Sequence, residues 1–102
     1  MPGMDIYYTL NGMAFIWNAK KASANLGKHD GITFEQAASV FFDPFFRLSE
    51  AGRNDEAREA IIGGDASGRL LFVVHVEIDN ELIRIISARR ATHEERRGYE
   101  YS

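Results

Sequence analysis

Residues 70–90 read LLFVVHVEIDNELIRIISARR, two apolar runs separated by the turn-forming pair Asp79-Asn80. The first run opens with consecutive apolar residues and no alternation, as a central strand buried on both faces would. Turn residues between two β-rich runs predict an antiparallel pair of strands, Leu70–Asp79 and Leu82–Arg89. The first of these strands is predicted to be a central strand of the sheet.

A hairpin is predicted near the N-terminus. Asn11-Gly12 lies between the β-rich runs Ile6–Leu10 and Met13–Trp17. Both turn residues tolerate the positive φ of a type I′ turn, which makes this dipeptide the strongest short-range hairpin signal. The turn sets the register, in which the predicted pairs are Tyr8 with Phe15 and Ile6 with Trp17.

Two helices are predicted to follow the hairpin. Asn18 can cap the first helix, over Ala19–Lys28, and the inner stripe is predicted at Ala22 and Leu26. The second helix opens with a capping box, Thr33 and Gln36, and ends at Asp43-Pro44. Its apolar stripe has helical spacing and comprises Phe34, Ala37, Ala38, Phe41 and Phe42.

The remaining segments complete a single α+β domain. Phe45–Leu48 is predicted to be extended, Ser49–Glu56 a polar loop and Arg58–Gly63 a strand. Thr92 and Glu95 have capping-box spacing and open a short C-terminal helix. The predicted fold is therefore an N-terminal β-hairpin, two helices packed on one face of an antiparallel sheet, and a short C-terminal helix.

The composition bounds the class of protein. A chain of 102 residues with 45% hydrophobic content can form one domain with a modest core. It has no cysteine, so a disulfide framework is excluded. No apolar run approaches the roughly 20 residues that span a bilayer and no secretion signal is present, so a soluble cytoplasmic protein is expected. The histidines lie in different predicted elements, and no metal or other cofactor is predicted.

Charge is unevenly distributed along the chain. The net charge of −3 argues against indiscriminate binding of nucleic acid. Lysines dominate the first third and arginines the C-terminal end, while acidic residues dominate the middle. The basic ends allow a local cationic surface, and the acidic middle would suit a basic protein partner.

The two long strands carry the first candidate site. A two-residue or four-residue loop between them would place His75, Glu77 and Arg84 on one face of the sheet. A histidine, a carboxylate and an arginine on an open face could carry out acid–base chemistry beside a bound phosphate. The alternative is a cross-strand ion pair between Glu77 and Arg84, with His75 as a half-buried side chain.

Cationic residues at the ends of elements form the second candidate site. Ser87 and Arg89 have the opposite parity to Arg84, but Arg89 ends its strand and can turn outwards. Its guanidinium would either match phosphate oxygens or cap helix carbonyls. Four further residues are candidates for phosphate or RNA binding: Arg58 at the head of its strand, Arg90, and Lys28-His29 at the end of the first helix. The helix dipole alone would also favour cations at the last two positions.

Several blocks of the chain together resemble a known family. The first is FIWNAKKASANLGKHDGITFEQAASVFFDP, from residue 15, and the later ones are REAIIG, GRLLFVVHVE and RIISARRATHEERRGYE. In this order and with small gaps they are similar to the BrnT toxins of type II toxin–antitoxin systems. The resemblance covers residues 15–99, so that a single BrnT-like domain is expected over 1–102, with 1–14 as an N-terminal hairpin extension.

The resemblance implies a metal-independent RNA endonuclease of RelE-like fold that inhibits translation. Such toxins are neutralised by a BrnA-type antitoxin protein, through which alone the system contacts DNA. The implied catalytic residues are Arg58, Arg84 and Arg89 as phosphate clamps and His75 or His29 as proton carriers. Lys28 would hold the RNA backbone, and Ser87 and Arg90 would lie beside it.

The chain departs from the family pattern at a few positions. Asn18 replaces an aspartate usual after the tryptophan, and Gly64 stands where many members carry a cation. The second departure thins the expected binding surface. Together with the net acidity it leaves an alternative function open, a non-catalytic interaction module that binds the antitoxin and tunes transcriptional repression.

Overall fold

The computed structural model of the chain describes residues 3–50 and 57–101. These residues form strands, α-helices and a 3₁₀ helix over Val40–Phe42. In chain order, the α-helices and strands are β1 (Asp5–Leu10), β2 (Met13–Asn18), α1 (Ala19–Lys28), α2 (Phe34–Ser39), β3 (Arg47–Glu50), β4 (Arg58–Gly64), β5 (Leu70–Ile78), β6 (Leu82–Arg90) and α3 (His93–Glu100). No helix among them is long and apolar enough to cross a membrane.

The described strands form one sheet in the order β1-β2-β6-β5-β4-β3. The predicted α+β class and the central position of β5 are confirmed, and β6 is the other middle strand. The sheet is not entirely antiparallel, however, because β2 runs parallel to β6. The chain returns from β2 to β6 by way of the helices and the other strands, a connection long enough for parallel pairing.

The predicted hairpin and helix caps are confirmed. Tyr8 pairs with Phe15, and the turn residues Asn11 and Gly12 have φ of 51° and 83°. The Asn18 side chain caps α1, and full capping boxes open α2 and α3 at Thr33 and Thr92. These elements are fixed by residues three to six positions apart, which is why local sequence specified them.

One face of the sheet, here called the inner face, packs against the helices and carries the core. Phe15 and Trp17 of β2, Val73 of β5 and Ile85 of β6 are all at most 1% exposed. They pack against buried side chains of the helical region, namely Ile32, Phe34, Ala37, Ala38 and Val40. None of the described residues in this core belongs to the opposite face of the sheet, here called the outer face.

The inner stripe of α1 differs from the prediction. Leu26 is 42% exposed, whereas Asn25 is buried. The pairing of β2 with β6 stops at Arg84, so beyond it the backbone of β6 needs another partner. The Asn25 side chain supplies it, donating to the carbonyl of Ala88 and accepting from its N–H. A polar residue therefore takes the position that helical spacing assigned to an apolar one.

The segment after α2 also differs in detail. The helix shortens into the 3₁₀ helix Val40–Phe42 before Asp43 ends it, and β3 begins only at Arg47. Ser49 and Glu50 belong to β3 and not to the predicted loop. The rest of that predicted loop, residues 51–56, lies outside the described residues.

The loop between β5 and β6 overturns the predicted faces of the first half of β6. Asp79 and Asn80 both adopt positive φ, and a three-residue loop pairs Ile78 with Leu82. With this loop Arg84 lies opposite Val76, on the outer face, and His75 lies opposite Ile85, on the inner face. The prediction that His75, Glu77 and Arg84 share a face is therefore wrong, because it assumed a loop of even length.

A β-bulge changes the second half of β6. The register shifts at Val74/His75, so that Val74 pairs with Ser87 and Phe72 with Arg89, while Ile86 has no partner in the ladder. Ser87 and Arg89, of odd number, consequently join Arg84, of even number, on the outer face. The prediction that Ser87 and Arg89 lie on the face opposite to Arg84 is therefore also wrong.

Candidate nucleic-acid interface

Arginines of β4 and β6 lie on the outer face. Arg58 and Arg84 flank Val76 on its two sides, so their Cα atoms are about 10 Å apart at two strand spacings. Arg89 lies further along β6, beside Phe72, four residues from Val76 along β5 and so about 13 Å away. The bulge is what brings Arg89 to the same face as the other two.

Arg84 is only lightly engaged by the protein. Its guanidinium Nη2 lies 3.4 Å from Asp5 Oδ2, and both side chains are partly exposed. A single long contact of this kind between solvated groups contributes little and is easily exchanged. Most of the donors of Arg84 therefore remain free to meet an anion that arrives on the outer face.

Arg89 is held far more firmly. Its guanidinium donates to both carboxylate oxygens of Glu95, at 2.8 and 2.9 Å, and stacks over the Phe72 ring at 4.1 Å. Hydrogen bonding to Glu95 raises the pKa of Arg89, and the same bond lowers the pKa of Glu95. The planar fork that would match a phosphate is thus occupied by a carboxylate of the same chain.

The other predicted RNA-binding residues divide between two places. Ser87 is half-buried on the outer face, next to the arginines. Lys28 and His29 end α1 within about one helical turn of Asn25, which is bonded to Ala88 and so lies beside Ser87 and Arg89. Arg90 pairs with Leu71, a residue of the inner face, and is therefore not on the same face as Arg89.

His75 is separated from the arginines by the sheet itself. It is 4% exposed on the inner face, in edge contact with the ring of Phe41. Its Nε2 lies 3.6 Å from Glu59 Oε1, and its buried Nδ1 has no hydrogen-bond partner among residues 3–50 and 57–101. Burial lowers the pKa of His75 and outweighs the backbone of Val73 and the carboxylates of Glu59 and Glu77, which act to raise it. The ring is therefore neutral at physiological pH.

The sequence did not reveal two groups that shape this interface. Glu95 was interpreted only as a capping-box residue, and it does accept from the Thr92 N–H, but it also binds Arg89. Arg47 pairs with Ile62 and so shares the outer face, which could not be inferred while the bounds of β3 were unknown. For Glu95, the signal available in the sequence was a capping-box glutamate six residues after Arg89.

Tyr99 and Asp43 fasten α3, which has no buried residue, to the rest of the domain. The Tyr99 hydroxyl donates to Asp43 Oδ2 at 2.6 Å, and the Gly64 N–H donates to the same oxygen at 2.7 Å. The hydrogen bond from Tyr99 to Asp43, together with desolvation, raises the pKa of Tyr99 to about 12. Hydrogen bonds from Gly64, Tyr99 and Phe45 overcome the opposing effect of burial, and the pKa of Asp43 is lowered.

We expect this contact to fail in strong alkali. A phenol whose pKa is raised on folding stabilises the folded state below its unfolded value of about 10, and this contribution is lost as pH rises towards 12. Ultraviolet titration of Tyr99→Phe should lack an ionisation near pH 12 that the wild-type protein shows. The exposed Tyr101→Phe is the control and should retain it. If Tyr99→Phe lacked an ionisation near pH 10 instead, the assignment of the ionisation near pH 12 to Tyr99 would be contradicted.

No group of three or more histidine, cysteine or acidic residues suited to a metal ion occurs in the described part of the chain. The interface is therefore built from cationic and hydroxyl side chains on one sheet face and at the end of α1. Such an arrangement can hold a phosphate backbone and stabilise negative charge that develops on it.

Comparisons with known proteins identify the family and the fold of the chain. The family model for "Ribonuclease toxin, BrnT, of type II toxin-antitoxin system" matches residues 17–95. A crystal structure of the Brucella abortus ribonuclease toxin BrnT has a TM-score of 0.54 and 21% identity, covering 76% of this chain and 94% of that one. At this identity the likeness shows a shared fold. A comparison with curated proteins found no match. Because the family model spans most of the chain, this protein belongs to the BrnT family of ribonuclease toxins of type II toxin–antitoxin systems.

Proposed function

We propose that this chain is itself an active RNA endonuclease that needs no metal ion, and that a BrnA-type antitoxin neutralises it in the cytoplasm. The observation that carries the proposal is the position of Arg58, Arg84 and Arg89 on one face of the sheet, which results from the loop before β6 and the bulge within it. The acidic residues of the neighbouring strand positions, Glu59 and Glu77, lie on the inner face. The arginines share the outer face with the carboxylates of Asp5 and Glu95, which pair with Arg84 and Arg89.

The proposed reaction is an internal phosphoryl transfer. The RNA 2′-oxygen forms a bond to the adjacent phosphorus, the bond to the 5′-oxygen breaks, and a 2′,3′-cyclic phosphate and a 5′-hydroxyl remain. The 2′-proton passes to a base, and the leaving oxygen receives a proton from an acid. Arg58, Arg84 and Arg89 would stabilise the extra negative charge on the phosphate oxygens in the transition state.

The proton carrier is assigned to His29 and not to His75. His29 is half-buried at the end of α1, beside the part of β6 that carries Ser87 and Arg89. Lys28, exposed next to it, would hold the RNA backbone, with Ser87 as a further hydrogen-bond donor. His75 would have to act through the sheet, because it is buried on the other face.

The purified protein should cleave single-stranded RNA in excess EDTA and leave 2′,3′-cyclic phosphate ends. A double variant, Arg58→Gln with Arg84→Gln, purified in parallel, should leave the RNA intact and controls for contaminating nucleases. Intact RNA with the wild-type protein, a requirement for a divalent ion, or equal cleavage by the double variant would each contradict the proposal.

A second candidate function is a non-catalytic module that binds the antitoxin and tunes transcriptional repression. Two observations favour this function. The guanidinium of Arg89 is already bound to Glu95, and His75 is buried on the inner face and not on the outer one. Induction of the chain without its antitoxin separates the two functions. An active toxin arrests growth, whereas a non-catalytic module leaves the cells growing.

A further inference from the structure

A groove on the inner face lies where the helical layer ends. The helical segment Phe34–Phe42 is about 15 Å long, whereas a nine-residue strand such as β5 spans about 30 Å. Helices therefore cover only part of the inner face. Beyond Phe41 the sheet is left open as a groove of about 330 Å³, lined by Met13, Phe41, Phe46, Leu48, Glu59, Ile61, His75, Glu77 and Ile83.

The groove combines an apolar floor with an acidic rim. Glu59 and Glu77 contribute carboxylates, and no described lysine or arginine belongs to the lining. His75 lies among these residues, 96% buried, and no described residue hydrogen-bonds its Nδ1. When Nε2–H faces Glu59, Nδ1 of the neutral ring is an acceptor, so acceptors and negative charge dominate the polar groups here.

Apolar side chains continue the groove along the edge of the sheet. β3 ends the strand order, and its Leu48 is 60% exposed, next to Phe46 at 42% and Phe45 at 72%. A small-molecule pocket would enclose its ligand, whereas this surface extends beyond the groove along an edge strand. That form is suited to an extended polypeptide segment.

We propose that this groove and the adjoining edge of β3 bind an extended segment of the cognate antitoxin, in which lysine or arginine alternates with apolar residues. The cations would meet Glu59 and Glu77, and the apolar side chains would cover Leu48 and Phe46. The proposal rests on the proposed function, because it takes the partner to be the antitoxin. The bound segment would lie on the face opposite the arginines, so neutralisation would not require it to cover them.

Charge reversal in the groove tests the proposal. Glu77→Lys and Leu48→Asp each change an exposed side chain of the groove, and Glu35→Lys makes the matched charge reversal at the start of α2, away from Phe41. Both groove variants should arrest growth alone, lose rescue by co-expressed antitoxin and bind purified antitoxin at least tenfold more weakly. Glu35→Lys should be rescued and should bind like the wild type.

The outcomes separate this proposal from the proposed function. Groove variants that bind the antitoxin with wild-type affinity would overturn the docking site, whether or not the chain is toxic. If the wild-type chain does not arrest growth, the proposed nuclease activity is contradicted. The affinities of the groove variants for the antitoxin still test the docking site. Restoration of binding to Glu77→Lys by a lysine-to-glutamate change in the antitoxin would identify the contact. A Leu48→Asp variant that only dissociates a dimer would assign the groove to a second copy and overturn the proposal.

Discussion

Replacing Arg89 with lysine is expected to lower the rate of RNA cleavage by about 10²-fold or more while the protein stays folded. Lysine keeps the positive charge and can still contact Glu95, but it lacks the planar fork that holds two oxygens at once. The loss of the stacked guanidinium over Phe72 should lower the free energy of unfolding by only about 1 kcal/mol. Activity and stability are therefore expected to separate.

Glu95→Gln is the matched partner of this variant. Glutamine can still accept from the Thr92 N–H, as Gln36 does in the capping box of α2, so the start of α3 is preserved. It removes the charge that now occupies the fork of Arg89. If Arg89 binds phosphate, the variant should cleave RNA at least as fast as the wild type and bind it more tightly.

Single-turnover cleavage of a labelled RNA, with a thermal melt of each variant, measures both effects. Full activity of Arg89→Lys would show that the guanidinium serves only to fasten α3. In that case Glu95→Gln should lower the melting temperature and leave the cleavage rate unchanged. The pair of variants thus distinguishes a phosphate-binding arginine from a structural one.

Local chemistry explains which parts of this fold could be predicted from sequence. The hairpin at Asn11-Gly12 and the caps at Asn18, Thr33 and Thr92 depend on residues close in the chain, and all are observed. Family resemblance supplied the class of protein. Neither source contains the contact of Asn25 with Ala88, because it forms only when β2 ends and leaves part of β6 unpaired.

The faces of β6 could not be predicted for a different reason. Alternation assigns faces only while the register is regular, and here a three-residue loop and one bulged residue each change the parity. Because of the two changes, His75 lies on the face opposite to Arg84, and Ser87 and Arg89 lie on the same face as Arg84. The outer face therefore carries Arg58, Arg84 and Arg89 but not the histidine of β5.

Arg84→Gln is expected to cause a second loss of cleavage of about 10²-fold. Among the described residues the Arg84 side chain forms one partly exposed ion pair, with Asp5 at 3.4 Å, so its removal should cost the fold little. Asp5→Asn is the control, because it removes the same ion pair and leaves the guanidinium in place. It should cleave RNA at or above the wild-type rate. Loss of activity in both variants would mean that the pair matters for structure and not for RNA.

The double variant Arg84→Gln with Arg89→Lys shows whether the two arginines act on one phosphate. Their positions on the outer face are about 13 Å apart along the strands, so both side chains reach one phosphate only if they turn towards each other and Arg89 leaves Glu95. Independent contacts to different phosphates predict multiplicative losses, about 10⁴-fold in the double variant. A double variant no slower than either single variant would show instead that the arginines act as one unit, as residues of a shared catalytic centre do. Both guanidinium groups would then contact the scissile phosphate.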